Sequence, residues 1–462
     1  MVEPDHISPF PRDVETIVAI STPPGQGGIG IVRLSGPDAI AIGSKLFRSR
    51  TSTLGKRIRH IEMGIFLGEY GQEIDHGLAW VFARPNSYTG EDVVELSCHG
   101  NAIILEAVVR TAICHGAVMA GHGEFTRRAF LNGKLDLMQV EAVVDLIQAG
   151  GQFSLENAYG HLKGSLSTAV GGLKDTLLKV LAQVEVLLDF SEEDLHVDLR
   201  QVTVGLESAL AQSRQLTDSF TGSSRRHEGL AIVIVGPPNA GKSSLFNALL
   251  KENRAIVSPT PGTTRDLVEA RVFVGGELYR LVDTAGLHAT TDPLESEGIS
   301  RALTALGAAD TVFFVLDASV PWSDEYFALL DSLRPNRDVV VLNKADLPKG
   351  ILLPSDWPFR TVETSTISGF GTMQLIEFLR LRNRKLGQSE GIGLTRLRHY
   401  NGLVEVGQCL QRALDHLSGA IYNLECLADD LRSALEALAL LQGVNVSEET
   451  LDLIFAEFCI GK

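Results

Sequence analysis

The sequence has little of what marks a secreted or membrane protein. It holds only 5 cysteines, an odd number in a chain of 462 residues, so we expect reduced thiols and no disulfide framework. No apolar run is long enough to cross a bilayer, and residues 1 to 5 lack the basic and apolar regions of a signal peptide. These absences predict a cytoplasmic protein with no membrane association.

Positive charge is also scarce. The chain has 41 Lys and Arg against 57 Asp and Glu, a net charge of -16. A protein this acidic is not expected to wrap nucleic acid unaided, so an RNA partner must meet a local basic surface or one supplied by a second protein. The hydrophobic content of 44% is ordinary for globular proteins, and the length predicts two to four domains.

The most informative feature that is present is a phosphate-binding loop. Residues 236–244 read G-P-P-N-A-G-K-S-S, between an apolar run at 231–235 and a helix-like stretch at 245–250. The two glycines let successive N–H groups point at phosphates, and the lysine adds positive charge. The predicted nucleotide contacts are Asn239, Ala240, Gly241, Lys242, Ser243 and Ser244, with the Ser243 hydroxyl as a Mg²⁺ ligand.

Two later motifs predict that the nucleotide base is guanine. D-T-A-G at 283–286 ends a second apolar run and places a carboxylate near Mg²⁺. N-K-A-D at 343–346 ends a third, and its aspartate can accept hydrogen bonds from N1–H and the 2-amino group of guanine. In this order after a P-loop, the motifs resemble those of Ras-like GTPases. The predicted contacts are Asp283, Thr284, Ala285, Gly286, Asn343, Lys344 and Asp346.

Residues 256–266, I-V-S-P-T-P-G-T-T-R-D, lie where such GTPases carry their first switch. Thr264 is the predicted second Mg²⁺ hydroxyl. The alternative is a Pro-Gly turn with solvent-facing threonines, because Thr and Ser also favour turns for local reasons. The predicted contacts here are Ser258, Pro259, Thr260, Pro261, Gly262, Thr263 and Thr264.

The sequence lacks the glutamine with which some Ras-like enzymes orient water, because Leu287 follows D-T-A-G directly. The carbonyl oxygen of Asn239 is predicted to hold K⁺ beside the β and γ phosphates, where it would replace an arginine finger. Glu295 is the candidate that orients the attacking water, and an exposed loop acid is the alternative. The other predicted K⁺ ligands are oxygens of Ser258, Thr260 and Thr263.

The apolar patterns predict a multidomain α/β protein. Short strand-like runs punctuated by Gly and Pro lie between residue 14 and about residue 125 and indicate an α+β domain, predicted to span residues 1–133. Helical apolar stripes occur both before and after the GTPase motifs. Residues 134–228 and 388–462 are therefore predicted to form one discontinuous α-helical domain, with the P-loop GTPase domain, residues 229–387, inserted between them. Polar stretches at 222–229 and 382–393 are the expected hinges.

Two further patterns are weak. G-Q-G-G-I-G at 25–30 matches a dinucleotide fingerprint, but it leads into a strand-like run, so NAD or FAD binding is not expected. Cys98 and Cys114 each precede His-Gly without C-x-x-C spacing, so zinc is not expected. The last residues, Cys459-Ile-Gly-Lys462, place an accessible thiol beside a flexible glycine. A frayed end with an incidental cysteine is the alternative.

Together, these segments resemble the MnmE (TrmE) family of tRNA-modification GTPases over nearly the whole chain. The resemblance rests on the P-loop, on G-T-T-R-D at 262–266, on F-C-I-G-K at 458–462 and on N-terminal segments at 22–33, 87–92 and 123–134. It implies an N-terminal domain that forms a homodimer and binds 5-formyl-tetrahydrofolate or a related folate. By position, the folate contacts are Arg33, Glu95, Lys134 and Lys462.

The resemblance also implies the reaction. A carboxymethylaminomethyl or aminomethyl group would be added to carbon 5 of the wobble uridine of tRNA, together with the FAD-dependent partner MnmG (GidA) in a heterotetramer. Cys459 would act in the modification and not in GTP hydrolysis. His288 departs from the family pattern, in which arginine is usual, and Ser365 is the expected guanine-loop contact although serine-alanine is usual there. The alternative function is a ribosome-assembly GTPase without modification chemistry.

Overall fold

The computed structural model describes residues 15–49, 54, 60–189, 199–252, 268–283, 306–307, 309–323, 330–353, 357–386, 392–418 and 422–462. The chain divides into two compact units. Unit 1 comprises residues 1–147, 161–210 and 405–462, and unit 2 comprises residues 148–160 and 211–404. Within the described ranges, no helix combines the length and the apolar character that a membrane span needs.

The described strands are β1 (Ile17–Ile20), β2 (Gly27–Ser35), β3 (Phe47–Ser49), β4 (Glu62–Leu67), β5 (Glu73–Phe82), β6 (Val93–Gly100), β7 (Val118–Met119), β8 (Leu230–Val235), β9 (Val268–Val274), β10 (Glu277–Asp283), β11 (Thr311–Asp317), β12 (Val339–Asn343) and β13 (Arg360–Glu363). The described helices are α1 (Ala39–Leu46), α2 (Ala102–Cys114), α3 (Glu124–Leu131), α4 (Leu137–Gln148), α5 (Gln152–Leu162), α6 (Ser165–Asp189), α7 (Leu199–Asp218), α8 (Phe220–Glu228), α9 (Lys242–Glu252), α10 (Thr372–Leu386), α11 (Leu397–His416), α12 (Leu424–Gln442) and α13 (Glu448–Ala456).

Unit 1 contains a seven-stranded sheet in the order β3-β4-β5-β6-β2-β1-β7. Its pairs are antiparallel apart from β1 with β7. The alternation of side chains along β1 separates its two faces. Val18 joins the core under α1 and α2, whereas Ile17 and Ala19 contact Phe125 of α3. Helix α3 is therefore held on the face opposite α1 and α2.

The helical part of unit 1 combines segments from both sides of the GTPase motifs. Helices α6 and α12 pack against each other along apolar stripes spaced by three or four residues. Helices α4 and α13 share a second apolar cluster. The prediction of a discontinuous α-helical domain is thus confirmed. The buried stripes include Leu173, Leu177 and Leu181 on α6, and Leu427, Leu431 and Leu438 on α12.

Unit 2 is built around a six-stranded sheet in the order β13-β12-β11-β8-β10-β9. All pairs are parallel except β9 with β10. Strands β8, β11 and β12 are apolar without alternation, because the sheet is covered on both faces by separate cores. This is the predicted Ras-like fold, and the carboxyl ends of its parallel strands meet at one edge, where ligands bind in such sheets.

The expectation of a hinge at 222–229 is wrong. Most of this stretch forms α8, in which Ser223 and Arg226 are buried. Glycine and serine have low helix propensity, but the contacts of Arg226 with Glu277 on β10 fix the helix. At the other expected hinge, α10 continues to Leu386, and residues 387–391 lie outside the description.

Candidate functional site

The P-loop connects β8 to α9 in the conformation that its glycines predict. Gly236 and Gly241 have positive φ angles of 151° and 94°, and Asn239 shares this property with φ 62°. A Cβ on Gly241 would collide with the side-chain amide of Asn343, so only glycine fits there. Lys242 is the first residue of α9, and its Nζ donates to the carbonyl oxygens of Gly236 and Pro237, 3.0 Å from each. Its ammonium group is thus aimed into the loop.

The N-K-A-D motif at 343–346 is hydrogen-bonded to the P-loop. Asn343, buried at the end of β12, donates from Nδ2 to the carbonyl oxygen of Ala240 at 2.9 Å. Its Oδ1 accepts a hydrogen bond from the hydroxyl of Thr364 at 3.2 Å. Asn343 therefore links three loops at the carboxyl edge of the sheet. The side chain of Asp346 is exposed beside them, and its Oδ1 accepts from the Ser365 hydroxyl at 2.5 Å.

Sequence patterns did not identify Asp317, which ends β11 and is the register partner of Asn343. Its Oδ2 lies 2.6 Å from Nζ of Lys344, and its Oδ1 accepts from the amide and hydroxyl of Ser319. Burial raises the pKa of Asp317, but the hydrogen bonds from Lys344 and Ser319 outweigh it and lower the pKa overall. Asp317 therefore stays ionised and holds Lys344, which itself adopts a positive φ of 62°.

Part of the predicted nucleotide site lies outside the described residues. Ser243 and Ser244 are exposed at the start of α9, and the backbone of Asp283 ends β10 beside Ile234 of β8. The ligands predicted for these three residues stay predictions. Outside the description lie Ser258, Pro259, Thr260, Pro261, Gly262, Thr263, Thr264, Thr284, Ala285, Gly286, Leu287, His288 and Glu295.

A second cluster lies on the sheet of unit 1. Arg33 on β2 is the register partner of Glu95 on β6, which is the register partner of Trp80 on β5. Nε and Nη2 of Arg33 both lie 2.8 Å from Oε1 of Glu95, and Trp80 Nε1 donates to its Oε2 at 2.8 Å. The rings of Tyr88 and Phe125 flank the guanidinium at 5.9 and 5.6 Å. We refer to Arg33, Glu95 and Trp80 as the arginine cluster.

Residues 458–462, the tail segment, lie against the arginine cluster. Nη1 of Arg33 reaches the carbonyl oxygen of Gly461 at 3.5 Å, and the amide of Phe125 donates to the carbonyl oxygen of Lys462 at 3.2 Å. Burial and then the charge of Arg33 lower the pKa of Lys462, while Glu95 and Cys459 oppose this. The structure therefore brings Arg33, Glu95 and Lys462 together, and the exposed Cys459 lies close enough to act on the charge of Lys462.

Lys134 takes a different place. Its Nζ donates to the carbonyl oxygen of Pro85 at 3.1 Å, so it supports the loop that carries Tyr88 and does not join the ion pair. Sequence patterns also missed Trp80 and Tyr88 as neighbours of the Arg33–Glu95 pair, and His122 as a neighbour of the tail segment. Of these three residues, only Tyr88 lies within a segment on which the family resemblance rests. Trp80 is placed beside Glu95 by strand register, which has no sequence signature.

Two family models match this chain. Residues 16–134 match the family described as the N-terminus of the GTP-binding protein TrmE, and residues 137–459 match the MnmE helical domain. Among solved structures, the G domain of the Thermotoga maritima FeoB iron transporter is 27% identical, with a TM-score of 0.26, and the match covers 34% of this chain and 99% of that domain.

Curated relatives are similar over almost their full length. The tRNA modification GTPase MnmE of Geotalea uraniireducens is 38% identical over 453 residues, which are 97% of this chain and 99% of the relative. Its namesake in Chlamydia trachomatis serovar A is 39% identical over 450 residues, with coverage of 97% and 99%. The one in Chloroflexus aurantiacus is 40% identical over 457 residues, with coverage of 97% and 100%. The chain belongs to the MnmE (TrmE) family of tRNA modification GTPases.

Proposed function

We propose that the protein is a K⁺-activated GTPase that modifies carbon 5 of the wobble uridine in tRNA. It acts as a homodimer and assembles with the FAD-dependent MnmG (GidA) into a heterotetramer, which supplies the RNA-binding surface that a chain of net charge -16 lacks. The product carries a carboxymethylaminomethyl or aminomethyl group, and its one-carbon unit comes from 5-formyl-tetrahydrofolate or a related folate. Family membership supports the coarser activity, GTP hydrolysis in tRNA modification.

The observation that carries the finer proposal is the docking of the tail segment on the arginine cluster. The buried Phe458 and the half-buried Lys462 flank the exposed Cys459, so the tail segment carries a thiol to the edge of the half-buried Arg33–Glu95 pair. The Glu95 carboxylate is an acceptor suited to the paired N–H donors of a pterin ring, and Tyr88 offers an aromatic wall. The residues present therefore fit a folate, which supplies an activated carbon when bound. Lys462 and Lys134 extend the positive rim.

In the GTPase domain, the residues bind and orient phosphates. Lys242 and the N–H groups at the start of α9 hold the β and γ phosphates, and Asp346 with Ser365 recognises guanine. The Ser243 hydroxyl is an Mg²⁺ ligand, and the exposed carbonyl oxygen of Asn239 is a K⁺ ligand. When bound, the two ions supply positive charge to the phosphates in place of an arginine finger. Thr264 and Glu295 complete the proposal as second Mg²⁺ ligand and water-orienting base.

The test is mass analysis of wobble uridines in tRNA from cells that lack the protein, complemented with wild type or with Cys459→Ser. Wild type should restore the modified uridine, whereas Cys459→Ser should not, although its purified GTPase activity stays within about twofold of wild type. Cys426→Ser is the matched control, because Cys426 is another exposed cysteine, on α12. It should restore modification fully.

Each outcome decides a different part of the proposal. Unchanged wobble uridines in cells that lack the protein would refute the modification function. Full restoration by Cys459→Ser would refute the role of the thiol. Loss of both hydrolysis and modification in this variant would show that Cys459 serves folding and not chemistry.

A further inference from the structure

His122 holds the tail segment on both sides of Cys459. Its Nδ1 lies 2.8 Å from the carbonyl oxygen of Phe458, although 336 positions separate the two residues in sequence. Its backbone forms an antiparallel bridge with Ile460. The residue between these two contacts is Cys459. His122 itself lies two positions before α3, whose Phe125 contacts Arg33 and the carbonyl oxygen of Lys462.

The hydrogen bond has a defined direction. A carbonyl oxygen only accepts, so Nδ1 of His122 carries the proton and donates. Both the neutral Nδ1–H tautomer and the imidazolium satisfy this requirement. The contact with Phe458 therefore survives a change of protonation, and a neutral amide donor of similar reach can replace it.

The contact between His122 and the Phe458 carbonyl lies next to the part of the tail segment whose side chains are exposed. The side chain of Phe458 is buried and packs against Phe455 of α13. Gly461 is fixed by a positive φ of 97° and by its approach to the Ile20 carbonyl, which leaves no room for a Cβ. Between these two anchors, Cys459 and Ile460 have exposed side chains. Without the His122 imidazole, the Phe458 carbonyl loses its donor. The backbone at Cys459 is then held only by the Ile460 bridge and by the Lys462 amide, 3.4 Å from the Cys459 carbonyl oxygen, so the thiol can move.

We propose that His122 is a positioning residue that fixes the Cys459 thiol beside the arginine cluster. This inference rests on the proposed function, in which that thiol takes part in the modification. Precise placement of a reacting group makes a large contribution to rate, and a displacement of about 1 Å can cost about 100-fold. The role of His122 is thus to restrict the tail segment and not to touch the reacting atoms.

The test uses the full-length protein with MnmG, tRNA, GTP, 5-formyl-tetrahydrofolate, glycine as the amine source and NADH as the reductant. It compares His122→Ala, His122→Asn and His76→Ala. His76 is an exposed histidine on β5 and serves as the matched control. In His122→Ala, amide hydrogen exchange in residues 459–462 should become about tenfold faster, and the modification rate should fall about tenfold. GTP hydrolysis should stay within about twofold of wild type. His122→Asn should recover most of both losses, because its amide can donate to the Phe458 carbonyl.

Two results would overturn the inference. Unchanged exchange in residues 459–462 of His122→Ala would show that His122 does not hold the tail segment. Faster exchange in His122→Ala with full modification would show that the contact between His122 and Phe458 does not position the thiol. A failure of the proposed function gives a different result, namely full modification by Cys459→Ser. In that case the exchange measurement on the His122 variants still shows whether His122 restrains the tail segment.

Discussion

The ion pair between Arg226 and Glu277 in unit 2 gives the sharpest prediction about stability. Nη2 of Arg226 on α8 lies 2.6 Å from Oε1 of Glu277 at the start of β10, and the two side chains are only 10% and 8% exposed. The guanidinium also stacks on the ring of Phe153 of α5 at 3.8 Å. In addition, the amide of Gln152 donates to the carbonyl oxygen of Gly276 at 2.5 Å. The pair thus fastens α5 and α8 to the β9–β10 hairpin.

Removal of one partner leaves an uncompensated buried charge. Glu277→Gln should therefore cost about 3 kcal/mol of local stability, since breaking buried pairs typically costs about 3–5 kcal/mol. At about 1.4 kcal/mol per factor of ten, this raises the opening equilibrium of β10 about 100-fold. Replacement of both partners, Arg226→Met with Glu277→Leu, removes the charges together and should return to within about 1 kcal/mol of wild type.

Amide hydrogen exchange of β10 in the full-length protein measures this opening locally, which is necessary because a chain of several domains does not unfold in two states. The matched control is Glu363→Gln. Glu363 lies 2.6 Å from Lys349, the same separation, but these side chains are 46% and 57% exposed. That variant should change stability by less than about 1 kcal/mol.

Either of two results would refute this prediction. One is that Glu277→Gln destabilises β10 no more than Glu363→Gln destabilises β13, which would mean that burial does not set the cost. The other is that the double replacement is as unstable as the single one. In that case packing around Phe153, and not the isolated charge, would explain the effect.

Three further predictions concern the GTPase domain. Because the folded-state pKa of Asp317 is lowered, its stabilisation of Lys344 is present above the unfolded value of 3.8 and is lost as pH falls through the lower folded value. Fluorescent-GDP affinity should thus be insensitive to Asp317 titration between about pH 5 and 8, and Asp317→Asn should weaken it about threefold throughout this range. A loss that sets in between about pH 5 and 7 in wild type, but not in the variant, would contradict this assignment. GTP turnover should be about tenfold or more faster in K⁺ than in Na⁺, and Glu295→Ala should be slow in both salts while it binds GTP normally. Equal rates in the two salts would refute the K⁺ site at Asn239.

The sequence by itself determined what depends on neighbours along the chain. Glycines at positions 236 and 241 imply a tight turn wherever the loop lies, because only glycine tolerates such backbone angles without strain. The apolar spacing of α6 and α12 likewise predicted two amphipathic helices, and the lack of a partner within either segment predicted that they would pack together. Strand, helix and P-loop followed from local sterics and periodicity.

Only the tertiary structure decided which distant side chains meet. Strand register sets Arg33 opposite Glu95 and Glu95 opposite Trp80, and a shift of one residue would turn these side chains to the other face. The contact of His122 with Phe458 depends on the docking of the tail segment, which no spacing in the chain encodes. The physical reason is that periodicity fixes the face on which a residue lies, whereas packing between distant segments fixes its neighbour.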